Sequence, residues 1–362
     1  MVMFSMVGDR RRTLTLERFA SGIQKVMEAN GYTLDSETNP ELQLVFNFVD
    51  PDHPEHYRRK GKGTFVVTVT ENDKKAESIL HTGYPILVRS LGNMMIYLDR
   101  SGEQPKTYFI TLEQGCYTVP MNESDERYFS YVFERLRPLA TSKLVIDNRF
   151  IPDLPEELWE GDEVTESMYR AGKKLDEMNL LPTPFPIDQL LPPQDLRHIQ
   201  RLYGIGGLSY GNLSARKHGN QFWMSASGVN KARLKEIGRD ILMIKGFDDK
   251  SPAMEISVPP HVQPKRASVD AIEHWMIYNE HPEVGAIVHI HAWMEGIPST
   301  EINYPCGTIQ LAEAVAEQIR RADDPARAVV GLKNHGLTIT GRDLDDIFER
   351  IEGRIIPQVP MS

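Results

Sequence analysis

Two histidines stand one residue apart near the end of an apolar run, in the sequence GAIVHIHAW at 285–293. In a β-strand, residues i and i+2 point to the same face, so the imidazoles of His289 and His291 lie side by side. Imidazole nitrogens bind divalent transition metals at about 2.0–2.1 Å, and two on one face could hold one ion. The alternative is a pair of structural histidines. The pair therefore indicates a metal site only if further ligands come from elsewhere in the chain.

Two other residues have types that suit such a site. His335, in KNHGLTITG, precedes Gly336 at the point where one predicted strand ends and the next begins. A histidine in this position is more often structural. Asp270 stands near the start of the helix that precedes the HxH strand, where a carboxylate can move a proton or simply cap the helix. Sequence alone leaves both alternatives open.

Two short segments rich in glycine and serine, GNLSAR (211–216) and SASG (225–228), are predicted to be loops. Exposed backbone N–H groups and hydroxyls in such loops suit an anion, although the same composition is typical of ordinary turns. The candidate substrate-binding or anion-binding residues are Gly211, Asn212, Ser214, Ser227, Gly228 and Ser268.

Length and composition exclude several function classes. The 362 residues suffice for two domains, and the net charge of −10 has no compensating basic stripe, so nucleic-acid binding is not expected. No apolar run approaches the roughly 18–20 residues that span a bilayer, and the N-terminus lacks the apolar core of a signal peptide. The cysteines, Cys116 and Cys306, are far apart in sequence. We expect reduced thiols in a cytoplasmic protein.

Hydrophobic periodicity predicts a small α+β domain over residues 1–150, with the element order αββαββα. The alternating segments 41–49 and 63–71 are expected to pair as an antiparallel hairpin. No histidine in this region has ligand spacing, so we expect regulation or interaction here rather than chemistry. The predicted elements are helices at 14–30, 73–90 and 125–139, and strands at 41–49, 63–71, 93–99 and 106–114.

A connector rich in proline and acidic residues, at 140–162, leads into a second α/β domain that covers residues 151–362. Where strands are predicted, the sequence has short apolar runs rich in β-branched residues. Where helices are predicted, apolar residues recur at helical spacing. The predicted strands are 221–225, 240–246, 284–292, 328–334 and 336–341, and the predicted helices are 163–179, 268–281, 307–322 and 343–355.

Together and in this order, the motifs resemble the class II aldolase/adducin family. That family has a GNxSxR loop, a (T/P)SG loop, a Ser-Ser-acid helix start, HxIY, a VVHxH strand and a late HG. This chain has GNLSAR, SASG, ASVD (267–270), HWMIY (274–278), AIVHIH (286–291) and NHG (334–336). The resemblance covers roughly 163–356. It implies an α/β/α layered C-terminal domain around a central, mainly antiparallel sheet.

The resemblance implies that His289, His291 and His335 bind one divalent metal, with zinc the first choice and Mn, Co or Fe also suitable. It makes Asp270 the acid/base or, as in the epimerase members, a metal ligand. The implied function is a metal-dependent carbon–carbon lyase that acts on a small hydroxy-carbonyl, sugar-like substrate, with or without phosphate, through a metal-stabilised enediolate. Epimerase, dehydratase and decarboxylase activities, and a non-catalytic adducin-like interaction protein, are the alternatives. Family members are commonly tetramers, so we expect a homo-oligomer. The expected binding partner is the small-molecule carbonyl substrate, and neither nucleic acid nor a membrane is expected.

The chain departs from the family pattern in three places. Val269 stands where the family has its second serine, which removes one hydroxyl donor from phosphate recognition. No tyrosine follows Tyr304, so the distal tyrosine that serves as an acid in sugar-phosphate aldolases has no counterpart in this sequence. The small N-terminal domain is not part of the usual family unit.

Overall fold

The computed structural model describes residues 2–9, 13–121, 124–181, 187–203 and 210–362. The chain divides into two compact units: Met1–Ser142 with Phe185–Ile199 and Met361–Ser362, and Lys143–Pro184 with Gln200–Pro360. That 1–150 and 151–362 are domains with separate roles stays a prediction. Within the described ranges, no helix combines the length and the apolar character needed to cross a bilayer.

Both units mix strands and helices, which confirms the expected α/β fold class. The strands are β1 (Met3–Gly8), β2 (Thr33–Leu34), β3 (Leu44–Phe48), β4 (Phe65–Asn72), β5 (Met94–Asp99), β6 (Lys106–Thr111), β7 (Gly115–Pro120), β8 (Asp147–Ile151), β9 (Asn212–His218), β10 (Gln221–Ser225), β11 (Ile241–Asp248), β12 (Ala253–Ser257), β13 (Ala286–Ile290), β14 (Val329–Leu332) and β15 (Gly336–Gly341). The α-helices are α1 (Leu14–Ala29), α2 (Ile79–Arg89), α3 (Asp125–Thr141), α4 (Glu163–Glu177), α5 (Ile187–Leu190), α6 (Pro193–Tyr203), α7 (Ala271–Glu280), α8 (Ile309–Arg320) and α9 (Leu344–Ile351).

The first unit contains a seven-stranded sheet in the order β2-β1-β3-β4-β5-β6-β7. The pairs from β2 to β5 are parallel, and β6 and β7 add an antiparallel edge. The predicted order αββαββα is therefore incomplete, because a strand precedes the first helix and β7 follows β6. The sequence predicts no strand before the first helix, yet four of the six residues of the run MFSMVG are buried in β1.

The expected antiparallel hairpin between 41–49 and 63–71 is wrong. β3 and β4 pair in parallel, with Leu44 opposite Phe65. All of β3 and most of β4 are buried, as is typical of parallel strands covered on both faces. Parallel neighbours need a crossover of about a dozen residues or more, and the segment 49–64 supplies it.

The second unit contains an eight-stranded sheet in the order β14-β15-β13-β9-β10-β11-β12-β8. Every pair is antiparallel except β12 with β8. This confirms the expected mainly antiparallel central sheet. Helices α4 and α9 contact β9, β13 and β15, while α7 and α8 contact each other and the strands β11 and β14.

Strand β13 lies in the middle of this sheet, between β15 and β9. All five of its residues are buried, so apolar, β-branched side chains suit it on both faces. Its register places His289 directly opposite Thr338 of β15 and directly opposite Asn212 of β9. These two neighbours determine what surrounds the first histidine of the HxH motif.

Candidate metal centre

The three predicted histidines converge at one end of β13 and β15. His289 lies in β13, His291 follows that strand, and His335 directly precedes β15. One nitrogen of each ring lies within 4.8 Å of the other two, and the Nε2 atoms of His291 and His335 are 3.2 Å apart. Three basic rings at this separation are the arrangement that a shared metal ion requires.

The backbone explains why His335 reaches the HxH pair. Ladder pairing between β13 and β15 ends with Ile290 opposite Leu337, so the residues before β15 lie beside those after β13. A Cβ atom on Gly336 would stand 2.2 Å from the carbonyl oxygen of Ile290, so only glycine permits this approach. Asn334 adopts a left-handed φ of 60°, which turns the chain just before His335.

Burial keeps these imidazoles neutral. It lowers the pKa of His289, an effect that the charge of Asp270 opposes in part. Burial and the neighbouring histidines hold the pKa values of His291 and His335 well below the ordinary value for histidine. Neutral imidazole is the form that binds metals, because one ring nitrogen then carries a lone pair.

The tautomer of His289 follows from its hydrogen bond. Its Nδ1 lies 3.0 Å from the carbonyl oxygen of Leu337 and must donate a proton to it, so Nε2 carries the lone pair. Within the described ranges this buried Nε2 has no hydrogen-bond partner. A buried acceptor without a partner costs free energy, which a bound cation offsets. The donor set fits a divalent transition metal.

Asp270 lies next to this cluster and is 7% exposed. Asn212, which faces His289 across the sheet, donates from Nδ2 to Asp270 Oδ2 at 2.7 Å, and Ser268 Oγ is 3.4 Å from the same oxygen. Among the residues that the structure describes, Asp270 Oδ1 has no partner. Asp270 precedes α7, but its side chain makes no hydrogen bond that caps the helix. Asp270 therefore stands at the N-cap position of α7 without capping it by a side-chain hydrogen bond.

The structure places the GNLSAR segment mainly in a strand and not in a loop. Asn212 and Ser214 lie inside β9 and are buried. The Ser214 hydroxyl is 2.7 Å from His274 Nδ1 and 2.8 Å from the Tyr278 hydroxyl, in a network closed to solvent. Ser214 therefore supports the packing of α7 on β9, while Asn212 holds the carboxylate of Asp270.

Of the other predicted anion-binding residues, some lie beside Asp270 and others do not. Ser268 is half-buried and contacts Asn212, with 3.1 Å between its Oγ and Nδ2 of the amide. The backbone N–H of Ser227 donates to the carbonyl oxygen of Arg266, so it is not an open donor for an anion. Gly211 and Gly228 have φ values of 71° and 68°, a backbone conformation that favours glycine. Of this group, the structure brings Asn212 and Ser268 to Asp270.

Sequence reasoning missed a second carboxyl group, Glu273. It follows Asp270 by one helical turn, is 2% exposed, and accepts a hydrogen bond of 2.5 Å from the Thr338 hydroxyl. Burial, reinforced by the charge of Asp270, raises the pKa of Glu273 to about 8, so this group carries a proton at neutral pH. The sequence does carry a signal for Glu273, since it stands three residues after Asp270. That spacing places the side chains of Asp270 and Glu273 on one helix face.

Sequence reasoning also missed Lys231, which lies in a short 3-10 helix after the SASG segment and is 3% exposed. Burial lowers the pKa of Lys231 to about 7, and the charge of Asp270 opposes that shift. The charge of Lys231 in turn lowers the pKa values of His289 and His291. A lysine that lies in a turn is normally solvated, so its burial could not be read from the sequence.

The comparisons with known proteins match the region of the chain that carries the histidine cluster. Residues 196–294 and 294–353 match the family model described as the class II aldolase and adducin N-terminal domain. L-fuculose phosphate aldolase of Methanocaldococcus jannaschii is 27% identical over 173 residues, which are 42% of this chain and 82% of that protein. Methylthioribulose-1-phosphate dehydratase of Leptospira biflexa is 27% identical over 116 residues, 29% of this chain and 48% of that protein.

Among solved structures, an L-fuculose 1-phosphate aldolase aligns with a TM-score of 0.36 and 20% identity, and the alignment covers 53% of this chain and 81% of that chain. The family match spans the strand that carries the HxH pair and the turn that carries His335. It also includes Asp270 and its partner Asn212. The C-terminal region of this chain, over residues 196–353, therefore belongs to the class II aldolase and adducin family.

Proposed function

We propose that this chain is a metal-dependent carbon–carbon lyase of the class II aldolase type, which acts on a small, sugar-like hydroxy-carbonyl substrate. One observation supports the proposal most directly. A cluster of three neutral histidines, of which His289 and His335 are buried, has an unpartnered Nε2 on His289 and lies beside a buried carboxylate whose Oδ1 has no partner in the described part of the chain. Two unpaired acceptors in one buried place reduce the free energy of unfolding. A functional role, such as binding a metal or a substrate, explains why the chain keeps them.

His289, His291 and His335 would hold the metal, and zinc suits three imidazole ligands with room left for substrate oxygens. When bound, such an ion acts as a Lewis acid that withdraws electrons from a substrate carbonyl. The hydrogen bond from His289 Nδ1 to the Leu337 carbonyl fixes the ring so that Nε2 faces inward with its lone pair. Mn, Co or Fe would satisfy the same imidazole donors.

Asp270 would move the proton. The bond from Asn212 restrains Oδ2 and leaves Oδ1 to approach a substrate hydroxyl or C–H group. Glu273 stays protonated at neutral pH, so it does not place a second negative charge beside Asp270. The two carboxyl groups would therefore have different roles, a charged base at Asp270 and a neutral hydrogen-bonded acid at Glu273.

A dehydratase is the second candidate, since one curated relative is a methylthioribulose-1-phosphate dehydratase. The same base could remove a proton next to the carbonyl while water leaves, instead of a carbon–carbon bond breaking. An adducin-like protein without catalysis would not need neutral histidines with an unpaired nitrogen at the centre of a sheet.

The test combines metal analysis with a substrate screen. Purified protein should carry close to one metal ion per chain, and His289→Ala should lose most of it, while His218→Ala, which changes an exposed histidine, should not. Pairs of hydroxy-ketones and aldehydes, with and without phosphate, are then followed by NMR for carbon–carbon bond formation or cleavage. Loss of water instead would make the chain a dehydratase. Full metal occupancy after replacing both His289 and His291 would contradict the metal centre.

A further inference from the structure

The imidazoles of the histidine cluster are not all held in the same way. His289 is oriented by its hydrogen bond to the carbonyl oxygen of Leu337, which lies 3.0 Å from Nδ1. His291 has no such bond, since its buried Nδ1 has no hydrogen-bond partner within the described ranges. Histidines that bind metals almost always donate their second N–H to a carboxylate, a carbonyl or water, and that bond fixes the ring. The orientation of His291 therefore depends on the groups packed against its ring.

The ring of His291 must keep one edge towards the cluster. Its Nε2 faces inward, because it lies 3.2 Å from Nε2 of His335. A rotation of 180° about the Cβ–Cγ bond would put the carbon Cε1 in the place of Nε2 and remove the donor atom. This torsion is broad and roughly two-fold in histidine, so it does not select the productive state by itself.

Tyr210 is packed against the ring of His291. The two ring centroids are 5.5 Å apart and the ring planes are inclined by 64°, the edge-to-face arrangement that aromatic pairs favour. His289 and His335 also contact this ring, with centroids 5.1 Å and 4.7 Å away, but both are candidate metal ligands themselves. Tyr210 thus adds an aromatic wall to the cluster without offering it a ligand.

Strand pairing accounts for this contact. The ladder between β9 and β13 ends with Asn212 opposite His289, and the same register carried two residues further sets Tyr210 opposite His291. Side chains of directly opposed residues on neighbouring strands contact each other. The contact between Tyr210 and His291 is therefore built into the sheet that carries the HxH pair.

Two backbone contacts hold Tyr210 in this position. Its N–H donates to the carbonyl oxygen of Leu181 at 2.7 Å. The next residue, Gly211, has a left-handed φ of 71°, and a Cβ there would stand 2.3 Å from the carbonyl oxygen of His289. The chain at Tyr210 therefore lies directly against the end of β13, where a half-buried ring has little room to move away.

We propose that Tyr210 is a positioning residue of the metal centre, whose ring holds the imidazole of His291 with Nε2 directed at the point shared with His289 and His335. This inference rests on the metal centre of the proposed function. The contact is between rings, so the aromatic ring and not the phenol hydroxyl carries the effect. Tyr210→Phe should therefore preserve metal affinity. Tyr210→Leu, which keeps an apolar side chain but has no ring, should weaken it.

Competition with a chromophoric chelator measures the affinity of the full chain for Zn²⁺, without any need for a substrate. We expect Tyr210→Leu to bind Zn²⁺ about tenfold more weakly, the lower end of the loss when a metal-binding histidine is deprived of an outer partner. Tyr210→Phe should bind as tightly as the unchanged chain. The matched control is Tyr131→Leu, which removes a half-buried tyrosine ring from α3 and should not change the affinity.

The visible absorption of bound Co²⁺ reports the arrangement of the ligands. At saturating cobalt, the bands of Tyr210→Phe and Tyr131→Leu should match those of the unchanged chain. The bands of Tyr210→Leu should shift or weaken, because His291 then leaves its position in part of the molecules. A loss of stability alone would not alter the bands of the folded, metal-saturated protein.

The outcomes separate this inference from the proposed function. Cobalt bands of Tyr210→Leu equal to those of the unchanged chain, or an unchanged zinc affinity, would overturn the role of Tyr210 and leave the histidine centre standing. An equal loss of affinity in Tyr210→Phe would also overturn it, because the hydroxyl would then be responsible. Failure of the unchanged chain to bind Zn²⁺ would overturn the metal centre and the inference with it. If circular dichroism shows that Tyr210→Leu does not fold, Tyr210→Met replaces it with the same expectations.

Discussion

At the residue scale, Asp270 is a candidate for two roles, that of the proton carrier and that of a metal ligand. A single substitution distinguishes them. Asp270→Asn preserves the shape of the side chain and an oxygen that can still accept from Asn212. If Asp270 carries the proton, metal content should be unchanged while turnover falls by about 10²–10⁴-fold, as for a lost general base. Metal analysis and turnover of the same preparation provide the measurement.

A matched control for this substitution exists at the start of α9. Asp343 caps that helix by accepting from the N–H of Asp346, and asparagine caps about as well as aspartate. Asp343→Asn should therefore leave both metal content and turnover unchanged. Weaker metal affinity in Asp270→Asn would make Asp270 a ligand, and unchanged turnover would remove it from the mechanism.

The proton on Glu273 makes stability depend on pH. The pKa of Glu273 is raised from its ordinary value of 4.5 to about 8 in the folded chain, so the native state keeps a proton that the unfolded state releases. The contribution of Glu273 to stability is therefore full below about pH 4.5, declines as pH rises, and is lost above about pH 8. Glu273→Gln has no such proton and can retain the bond from the Thr338 hydroxyl.

Urea unfolding of metal-free protein at several pH values between about 5 and 9 measures this contribution. The free energy of unfolding of the unchanged chain should decline with pH relative to that of Glu273→Gln across this window. Parallel pH profiles for the two proteins would show that Glu273 titrates normally.

At the element scale, strands with clear boundaries were predictable. The limits of β10 and β15 match the predicted 221–225 and 336–341, because short β-branched or aromatic runs there end at glycine or polar residues. Strand β9 was missed because Asn212 and Ser214 are polar, and their buried partners come from α7 and the residue before it, which sequence periodicity does not reveal.

The same limit applies to the candidate site. The three histidines and Asp270 stand in recognisable motifs, so their types and spacing pointed to them. Glu273, Lys231 and Tyr210 join the cluster only through tertiary packing. The parallel pairing of β3 and β4 was also hidden, since burial on both faces leaves little alternation from which to infer strand direction.

The junction of β13 and β15 should be sensitive to one added methyl group. In Gly336→Ala the new Cβ would stand 2.2 Å from the Ile290 carbonyl oxygen, so the strands must separate where they position His335. We expect a loss of roughly 1–3 kcal/mol in the free energy of unfolding and reduced metal content, although all three histidines remain.

Gly63→Ala is the control for this substitution, since nothing lies within 4 Å of a Cβ at that position. Its stability should stay within about 0.5 kcal/mol of the unchanged chain, and its metal content should not change. Normal stability and full metal content in Gly336→Ala would show that the junction tolerates the displacement.

At the scale of the whole molecule, the first unit has a separate cleft of about 630 Å³. Its lining includes Val7 to Asp9 and Asn47 to Asp50, which lie at the carboxyl ends of β1 and β3. The strand order reverses between these two strands, and open α/β sheets bind ligands at such points. That this unit serves regulation or interaction stays a prediction, with this cleft as the place to examine.

The last prediction concerns assembly. Val269 is 41% exposed although it directly precedes Asp270, and a Cβ on Gly307, next to Cys306, would lie 2.9 Å from its Cβ. The resemblance to the family predicts a homo-oligomer, and Val269 is the apolar side chain beside the candidate site that a second copy of the chain would cover. We therefore expect a homo-oligomer in light scattering at micromolar concentration, and a shift toward smaller species in Val269→Asp because the new charge would be buried without a partner. A monomer that retains full activity would contradict this expectation, since the site would then need no second copy to complete it.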